Sequence, residues 1–286
     1  MRSEITRTPP IAVRRALCSE VGFRCPINDC GSPYLTFHHY RPTWRVQRHH
    51  NPEGMIALCS EHAGKADGNY YPDEYLDRLK SEGRGRSEAV QGTFDYLRLD
   101  MIAKIGSNVY YDVDTLVEIN GEPAVYFGRD AAGYLLLNIN LPAPEGGSRA
   151  RLENNVWTVD PGAERIDCPP RGRHIRVDFE DGDGFYVGFT EYPNAATYSA
   201  KNPSGRTLID SLSFPVVVAE FWERSGSHLI EFGRNTTRFP SSRGSIAGSL
   251  FIGGPVGISY NSPPSPALLS SLNRALEDFN GRSSSL

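Results

Sequence analysis

Cysteine and histidine residues are concentrated in one stretch of the sequence, from Cys25 to Asp67. Three of the five cysteines and five of the seven histidines in the chain lie within it. Thiolate and imidazole groups are the ligands that Zn²⁺ binds most often in structural sites, and a bound ion ties separate parts of a chain together. This stretch therefore constrains the fold of the chain more than its other segments do.

The spacing of four of these residues predicts a closed tetrahedral zinc site. Cys25 and Cys30 are separated by four residues, and Cys59 and His62 form a Cys-x-x-His pair further along the chain. An odd number of cysteines, three of them beside histidines, is more typical of metal binding in a reducing compartment than of a disulfide framework. The alternative is a set of reduced core cysteines beside a surface histidine.

The composition is that of a soluble protein, which we expect in the cytoplasm. Hydrophobic residues make up 39% of the chain and the formal net charge is -4. No window approaches the ~18 uninterrupted apolar residues of a membrane-spanning helix, and the first residues lack the apolar segment of a secretory signal. We therefore expect no membrane partner, and the near-neutral charge argues against a non-specific coat for nucleic acid.

Arginine is in local excess near the N-terminus, where the first 50 residues carry eight arginines against three acidic residues. Such an excess predicts a patch that faces the phosphates of a nucleic acid. An ordinary solvated basic surface is the alternative. The candidate nucleic-acid-binding residues are Arg14, Arg15, Arg41, Arg45 and Arg48.

Hydrophobic periodicity predicts an α+β chain in which a small zinc domain precedes a larger, mostly-β domain. Helices are predicted over residues 11–21, after Pro72, and from about Glu88 to Ile105. From Asn108 to Tyr260, short apolar runs alternate with turn residues such as Asn120-Gly121, which predicts a sandwich, barrel or β-roll. The predicted units are 11–82 (zinc domain), 83–106 (linker and helix), 107–262 (β-rich domain) and 263–281 (amphipathic C-terminal helix).

Two short motifs flank the middle of the zinc stretch. The first is His38-His39-Tyr-Arg-Pro42, and the second is Glu53-Gly54-Met-Ile-Ala-Leu58-Cys59-Ser-Glu-His62-Ala63. With the preceding cysteine pair, their order and spacing resemble the zinc-stapled form of the HNH endonuclease family, over roughly residues 14 to 82. The resemblance implies a ββα-metal unit, in which two strands present the histidine pair and a helix supplies the remaining catalytic ligand.

The resemblance also implies roles for individual residues. His39 would be the general base that takes a proton from the attacking water, and His38 would help to hold Mg²⁺, Mn²⁺ or a second Zn²⁺. The sequence departs from the family pattern at Gly54, where a central asparagine is expected, and at Ala63, where a final histidine is expected. Asn51 lies three residues before Gly54, with His49 and His50 beside it, and these three residues are the candidates to fill the places left by Gly54 and Ala63; of them, Asn51 is the predicted catalytic residue.

Two hypotheses for the function follow. The first is a metal-dependent DNA endonuclease, such as a restriction or anti-phage effector, whose β-rich domain selects the substrate or senses a ligand. The second is a catalytically inactive HNH-like zinc module that acts in nucleic-acid, ligand or protein binding. In either case a protein partner or a second copy would bind through the β-rich domain or the C-terminal helix.

Overall fold

The computed structural model describes residues 5–83, 88–141, 149–224, 230–240 and 243–261. These residues form an α+β structure in which strands outnumber helices. The helices are α1 (Ile11–Glu20), α2 (Ser60–Asp67), α3 (Asp73–Gly83) and α4 (Ala195–Lys201), with 3-10 helices at Pro52–Gly54 and Pro203–Ser211. None of the helices in the described ranges is both long and apolar enough to cross a membrane.

The strands of the described residues fall into four sheets. They are β1 (Leu35–His39), β2 (Met55–Cys59), β3 (Val90–Thr93), β4 (Ile102–Ile105), β5 (Asn108–Tyr111), β6 (Thr115–Ile119), β7 (Glu122–Arg129), β8 (Leu135–Ile139), β9 (Ala150–Glu153), β10 (Val156–Val159), β11 (Ala163–Asp167), β12 (His174–Phe179), β13 (Gly184–Tyr192), β14 (Val216–Arg224), β15 (Glu231–Phe232), β16 (Thr237–Phe239), β17 (Gly244–Ile246), β18 (Leu250–Ile252) and β19 (Val256–Tyr260).

Two seven-stranded sheets form most of the β-rich region. The strand order is β19-β6-β7-β8-β9-β10-β3 in the first and β11-β12-β13-β14-β4-β5-β18 in the second. Side chains from both sheets, such as Val125 and Trp157 from the first and Val177 and Phe221 from the second, belong to one apolar core. Of the three predicted β architectures, the sandwich is the one that places two sheets around a shared core.

Several local predictions are confirmed. Helix α1 occupies the predicted residues, and α3 begins just after Pro72, whose fixed φ suits the start of a helix. Asn120 and Gly121 connect β6 to the antiparallel strand β7, and both have positive φ, as a tight hairpin turn requires. The β content predicted after Asn108 is also present.

The helix predicted from Glu88 to Ile105 is wrong. These residues form β3 and β4, and Phe94, Met101 and Ile105 are buried in the core of the two large sheets. Gly92 allows β3 to pair closely with β10, since a Cβ at this position would lie 2.4 Å from the Trp157 ring on β10. The segment predicted as a linker and helix at 83–106 therefore supplies strands to the β-rich region.

A second, smaller core lies beside the first. Residues of α1, β1, β2, α2 and α3 form it, with Leu17, Ile56, Leu58 and Leu76 almost fully buried. The two regions are joined near Tyr34, whose hydroxyl donates to the Thr93 carbonyl and accepts from the Thr93 amide. The C-terminal helix predicted at 263–281 lies outside the described residues.

Candidate metal centre and histidine cleft

Four side chains from three parts of the chain converge beside the smaller core. Cys25 and Cys30 belong to the loop after α1, where the Cys25 amide donates to the Ser32 carbonyl at 2.8 Å. Cys59 is the last residue of β2, and His62 lies in the first turn of α2. These are the four residues that the spacing predicted as zinc ligands, and their ligand atoms all lie within 4.8 Å of one another.

The distances between these atoms fit a tetrahedral ion. Thiolate ligands about 2.3 Å from such an ion lie about 3.8 Å apart, and a sulfur and a nitrogen ligand lie about 3.6 Å apart. Cys30 Sγ and Cys59 Sγ are 3.8 Å apart. His62 Nδ1 is 3.4 Å from Cys25 Sγ and 3.2 Å from Cys59 Sγ. The cluster can therefore hold one metal ion, and three sulfurs with one nitrogen are a donor set that suits zinc.

Burial favours the protonated thiol of Cys25 where no cation is bound. Cys25 is fully buried, and desolvation raises the pKa of its thiol to about 12. A bound divalent ion reverses this effect because it stabilises the thiolate directly. The N-terminus of α2 also stabilises a thiolate at Cys59, to a smaller extent, since the His62 amide donates to Cys59 Sγ at 3.5 Å.

The same elements position the histidine pair. Strands β1 and β2 are antiparallel, with His38 opposite Ile56 and His39 opposite Met55, and α2 follows β2 without a gap. The histidines thus stand at the end of β1, next to the helix that carries His62. They line a cleft of ≈ 630 Å³, which we call the histidine cleft. Its other lining residues include Arg7, Thr43, Trp44, Arg45, Asp67, Asn69 and Asp73.

His39 has a defined tautomer. Its Nε2 lies 3.1 Å from the main-chain oxygen of His49, which is an acceptor only, so the Nε2–H donates and Nδ1 keeps its lone pair. Nδ1 is buried and has no hydrogen-bond partner among the described residues. Burial lowers the pKa of His39 to about 4, and the neighbouring His49 and His50 rings also lower it. The imidazole is therefore neutral at pH 7, with an unprotonated nitrogen.

His38 contacts an acidic residue that the sequence analysis did not identify. His38 Nδ1 lies 2.9 Å from Asp67 Oδ1, and Asp67 is the last residue of α2. The histidine side chain is 6% exposed, whereas the aspartate side chain is 56% exposed and faces the histidine cleft. Burial lowers the pKa of His38, and the Asp67 carboxylate opposes that change. Asp67 follows Ala63 by one helical turn, and this spacing is the signal that would have identified it.

Asn51 lies outside the lining of the histidine cleft. Its side chain accepts a hydrogen bond from the Glu53 amide at 3.3 Å and caps the 3-10 helix. The main-chain carbonyl of His49 orients His39 instead. The His49 ring is itself fixed, because its Nε2 donates to the Pro42 carbonyl at 2.8 Å and its Nδ1 accepts from the Asn51 amide.

Gly54 is required by close packing of the main chain. The amides of Tyr40 and Arg41 both donate to the Gly54 carbonyl, at 3.0 and 3.2 Å. A Cβ at Gly54 would lie 1.7 Å from the Arg41 carbonyl oxygen, which is main chain and cannot rotate away. No asparagine fits at this position without moving the loop that carries His49. The family's asparagine is therefore excluded here by geometry.

We expect Gly54→Ala to lower the free energy of unfolding by about 2 kcal/mol or more, since the Arg41 loop must shift to admit the methyl group. Gly64→Ala is the matched control, because Gly64 lies in α2 and a Cβ there meets nothing within 4 Å. This control should gain about 0.5–1 kcal/mol from helix propensity. Urea denaturation measures both, and equal stability of the Gly54→Ala protein and the wild type would contradict the close packing.

The five candidate nucleic-acid-binding arginines do not line one cleft. Arg45 lines the histidine cleft together with Arg7. Arg41 forms ion pairs with Asp73 at 3.4 Å and Asp77 at 2.9 Å. Arg14 and Arg15 lie on α1 and line a different cavity, and Arg48 lines neither.

The site thus combines a complete metal-binding cluster with a histidine cleft whose members come from β1, α2 and the loop between β1 and β2. The aromatic wall of that cleft, Trp44 against the His39 ring at 4.8 Å, was not predicted. A tryptophan in a loop of this length carries no periodic signal that would assign it. Comparison with protein-family models, with curated proteins and with solved structures finds no match to this chain.

Proposed function

We propose that this protein is an HNH-like, metal-dependent endonuclease that hydrolyses phosphodiester bonds in DNA and carries a structural zinc ion. The observation that supports this most directly is the state of His39. Its Nε2–H is engaged by the His49 carbonyl, which leaves the Nδ1 lone pair to accept a proton. His39 lines a cleft that also contains a histidine–carboxylate pair and two arginines.

In the proposed reaction, His39 Nδ1 takes a proton from a water molecule as the water oxygen attacks phosphorus. The bond between phosphorus and the leaving oxygen then breaks, the leaving oxygen takes a proton from solvent, and the protonated His39 returns its proton to solvent. Arg7 and Arg45 line the cleft and would hold the phosphate oxygens through charge-assisted hydrogen bonds. The fixed His49 carbonyl keeps the imidazole in the required tautomer throughout.

His38 and Asp67 are the residues that would hold a divalent cation such as Mg²⁺ or Mn²⁺. Their facing atoms are 2.9 Å apart, close to the ~3.0 Å between two neighbouring ligands that lie 2.0–2.1 Å from an octahedral ion. When bound, the cation would supply charge neutralisation at the phosphate and the leaving oxygen. Asp67 is exposed enough to leave positions for water and substrate oxygens.

The cysteine cluster would have a structural role in this enzyme. Four protein ligands leave no open position for substrate, which is the arrangement of structural zinc sites. Cys59 and His62 flank the junction of β2 and α2, so the ion would fix the angle at which α2 presents Asp67. The β-rich region would select the substrate or sense a ligand, and a role in restriction or phage defence is proposed from the family resemblance alone.

Nicking of supercoiled plasmid by the zinc-loaded full chain, with and without added Mn²⁺ or Mg²⁺, tests this function. We expect nicking only with the added cation. Asp67→Ala should raise the Mn²⁺ concentration needed for half-maximal rate by about 10-fold or more, because it removes a cation ligand. Glu61→Ala is the control, since Glu61 lies on the same helix, pairs with the exposed Lys65 and does not line the histidine cleft.

Absence of nicking by the wild-type protein with every cation tested would remove the endonuclease proposal. An unchanged Mn²⁺ requirement in Asp67→Ala would remove Asp67 from the cation site. Equal losses in Asp67→Ala and Glu61→Ala would indicate damage to α2 rather than a lost ligand.

One observation favours the second hypothesis, an inactive HNH-like module that binds nucleic acid. His39 Nδ1 is buried, and a pKa of about 4 makes the imidazole a weak base near neutral pH. In that case the protein would bind DNA without cleaving it. Binding through phosphate contacts should weaken steeply as salt rises, and salt-independent or absent binding would leave only a role in protein or ligand binding.

A further inference from the structure

A second cavity, of ≈ 760 Å³, separates α1 from the sheet that contains β11, β12 and β14. We call it the inter-domain cavity. It shares no lining residue with the histidine cleft, although β1 contributes Leu35 and Phe37 to the former and His38 and His39 to the latter. Its volume lies within the range of about 300–1,000 Å³ that is usual for small-molecule sites.

The sheet side of the inter-domain cavity carries three arginines around one carboxylate. Asp178 lies 3.3 Å from Arg165, 3.1 Å from Arg176 and 3.5 Å from Arg224. Asp167 adds a second carboxylate, 2.8 Å from Arg165. Glu164 and Glu180 also line this wall, so the sheet side carries three arginines and four carboxylates, and the excess of arginines in the whole lining comes from α1.

The helix side adds two more arginines, Arg14 and Arg15, which line the cavity from α1. Within the described residues, neither has a carboxylate at ion-pair distance. The Nε atoms of Arg14 and Arg165 are both buried without a hydrogen-bond partner there. Buried donors in proteins are almost always satisfied, so these two Nε atoms are exceptions within the described lining of the cavity.

Further groups show that the two walls face each other. Cys18 on α1 has its pKa raised to about 12 by burial, with a further increase from Asp167 on the sheet wall and a decrease from Arg14 on the helix wall. Glu164 and Glu180 also line the cavity, but both are exposed. Phe23, Phe37 and Phe179 supply an apolar surface.

We propose that the inter-domain cavity binds a small phosphate-bearing ligand. Planar guanidinium forks match phosphate oxygens two at a time, and Arg14 and Arg15, which have no carboxylate partner within the described residues, line the cavity where they can do so. The phenylalanines would contact an uncharged portion of the same ligand. Because the cavity is bounded by α1 and β1 on one side and by the β-rich region on the other, the bound ligand would bridge the two regions.

Contacts beside the inter-domain cavity hold the smaller core and the β-rich region together without a bound ligand. Tyr34 and Thr93 are hydrogen-bonded to each other twice beside the cavity, and Arg24 forms an ion pair with Glu88. Gly172 admits the Tyr34 ring, since a Cβ there would lie 2.9 Å from it. The two walls are therefore held at a fixed separation, which is the condition for a preformed site.

The first test measures binding of inorganic phosphate and pyrophosphate to the full chain by calorimetry, at constant ionic strength set with chloride. We expect pyrophosphate to bind more tightly than phosphate. Arg14→Ala should weaken pyrophosphate binding by about 10-fold or more, since charged hydrogen bonds are lost. Arg15→Ala should weaken it in the same direction, and Arg15 is exposed enough that its replacement leaves the fold intact.

Arg78→Ala is the matched control, because Arg78 pairs with Glu82 on the surface of α3 and does not line the cavity. Its affinity for pyrophosphate should equal that of the wild type. Lack of binding of both anions, or equal weakening by Arg78→Ala and Arg14→Ala, would overturn the proposal. Competitive displacement of pyrophosphate by duplex DNA would also overturn it, since the cavity would then hold a nucleic-acid backbone and not a small ligand.

Discussion

Cys59→Ser is expected to abolish zinc binding by the cysteine cluster and to unfold the part of the chain formed by α1, β1, β2, α2 and α3. Metal content should fall from one zinc per chain to none. At 37 °C this region should already be unfolded, so a thermal scan should show no melting transition for it. The structural reason is that Cys59 lies 3.8 Å from Cys30 Sγ and 3.2 Å from His62 Nδ1, so it contacts both halves of the cluster.

The size of the effect follows from the small core of this region. Structural zinc sites contribute about 10–16 kcal/mol of apparent binding free energy at pH 7, which is also folding free energy because the site is absent from the unfolded chain. A whole small domain is stabilised by only about 5–15 kcal/mol. Loss of the ion would therefore remove a contribution as large as the whole stability expected of the small core around Leu17, Ile56 and Leu58.

Two other cysteines provide controls for this prediction. Cys18 and Cys168 are outside the metal cluster, so Cys18→Ala and Cys168→Ala should keep one zinc per chain. Elemental analysis and circular dichroism measure both properties on the same samples. A Cys59→Ser protein that retains one zinc and melts like the wild type would show that the cluster does not hold a structural ion.

Local chemistry made the metal ligands predictable. A zinc ion needs four donors, and the spacing of Cys25, Cys30, Cys59 and His62 identified them in the sequence. The same four residues converge in the structure. The turn at Asn120-Gly121 was predictable for a similar reason, since few residues adopt positive φ at two successive positions. In both cases the residues that decide the structure are close in sequence or restricted in chemistry.

Long-range pairing was not predictable in this way. Residues 88–105 have apolar side chains at helical spacing, yet they form β3 and β4 because partners far along the chain are available. Strand β4 pairs in parallel with β14, where Lys104 meets Glu220 across 116 residues. Neither hydrophobic period nor propensity contains that information, because tertiary context overrides both.

The histidine cleft was predictable only in part. His38 and His39 were identified, but the residues that support them were not, since these act through main-chain atoms and helix geometry. The His49 carbonyl does what an asparagine side chain was expected to do, and any residue can supply a carbonyl. Asp67 was missed because it stands one helical turn after the position that the family pattern specifies.

His39→Ala is expected to lower the rate of plasmid nicking by about 100-fold or more, because removal of a general base costs about 10²–10⁴ in rate. That range corresponds to about 3–5 kcal/mol of activation free energy. The substitution removes the only base whose tautomer is set by the His49 carbonyl within the described part of the cleft. Single-turnover nicking with saturating Mn²⁺ is the appropriate measurement, since it separates the cleavage step from product release.

Two further variants distinguish a catalytic effect from a structural one. His39→Gln retains an amide that can donate to the His49 carbonyl but has no basic nitrogen, so it should be as inactive as His39→Ala while melting close to the wild type. Asn51→Ala should keep the wild-type rate within about 2-fold, because Asn51 only caps a 3-10 helix and a lost cap acts on stability. Added imidazole should restore part of the activity of His39→Ala, since the vacated space admits a soluble base. Equal nicking by His39→Ala and wild type would show that another group activates the water.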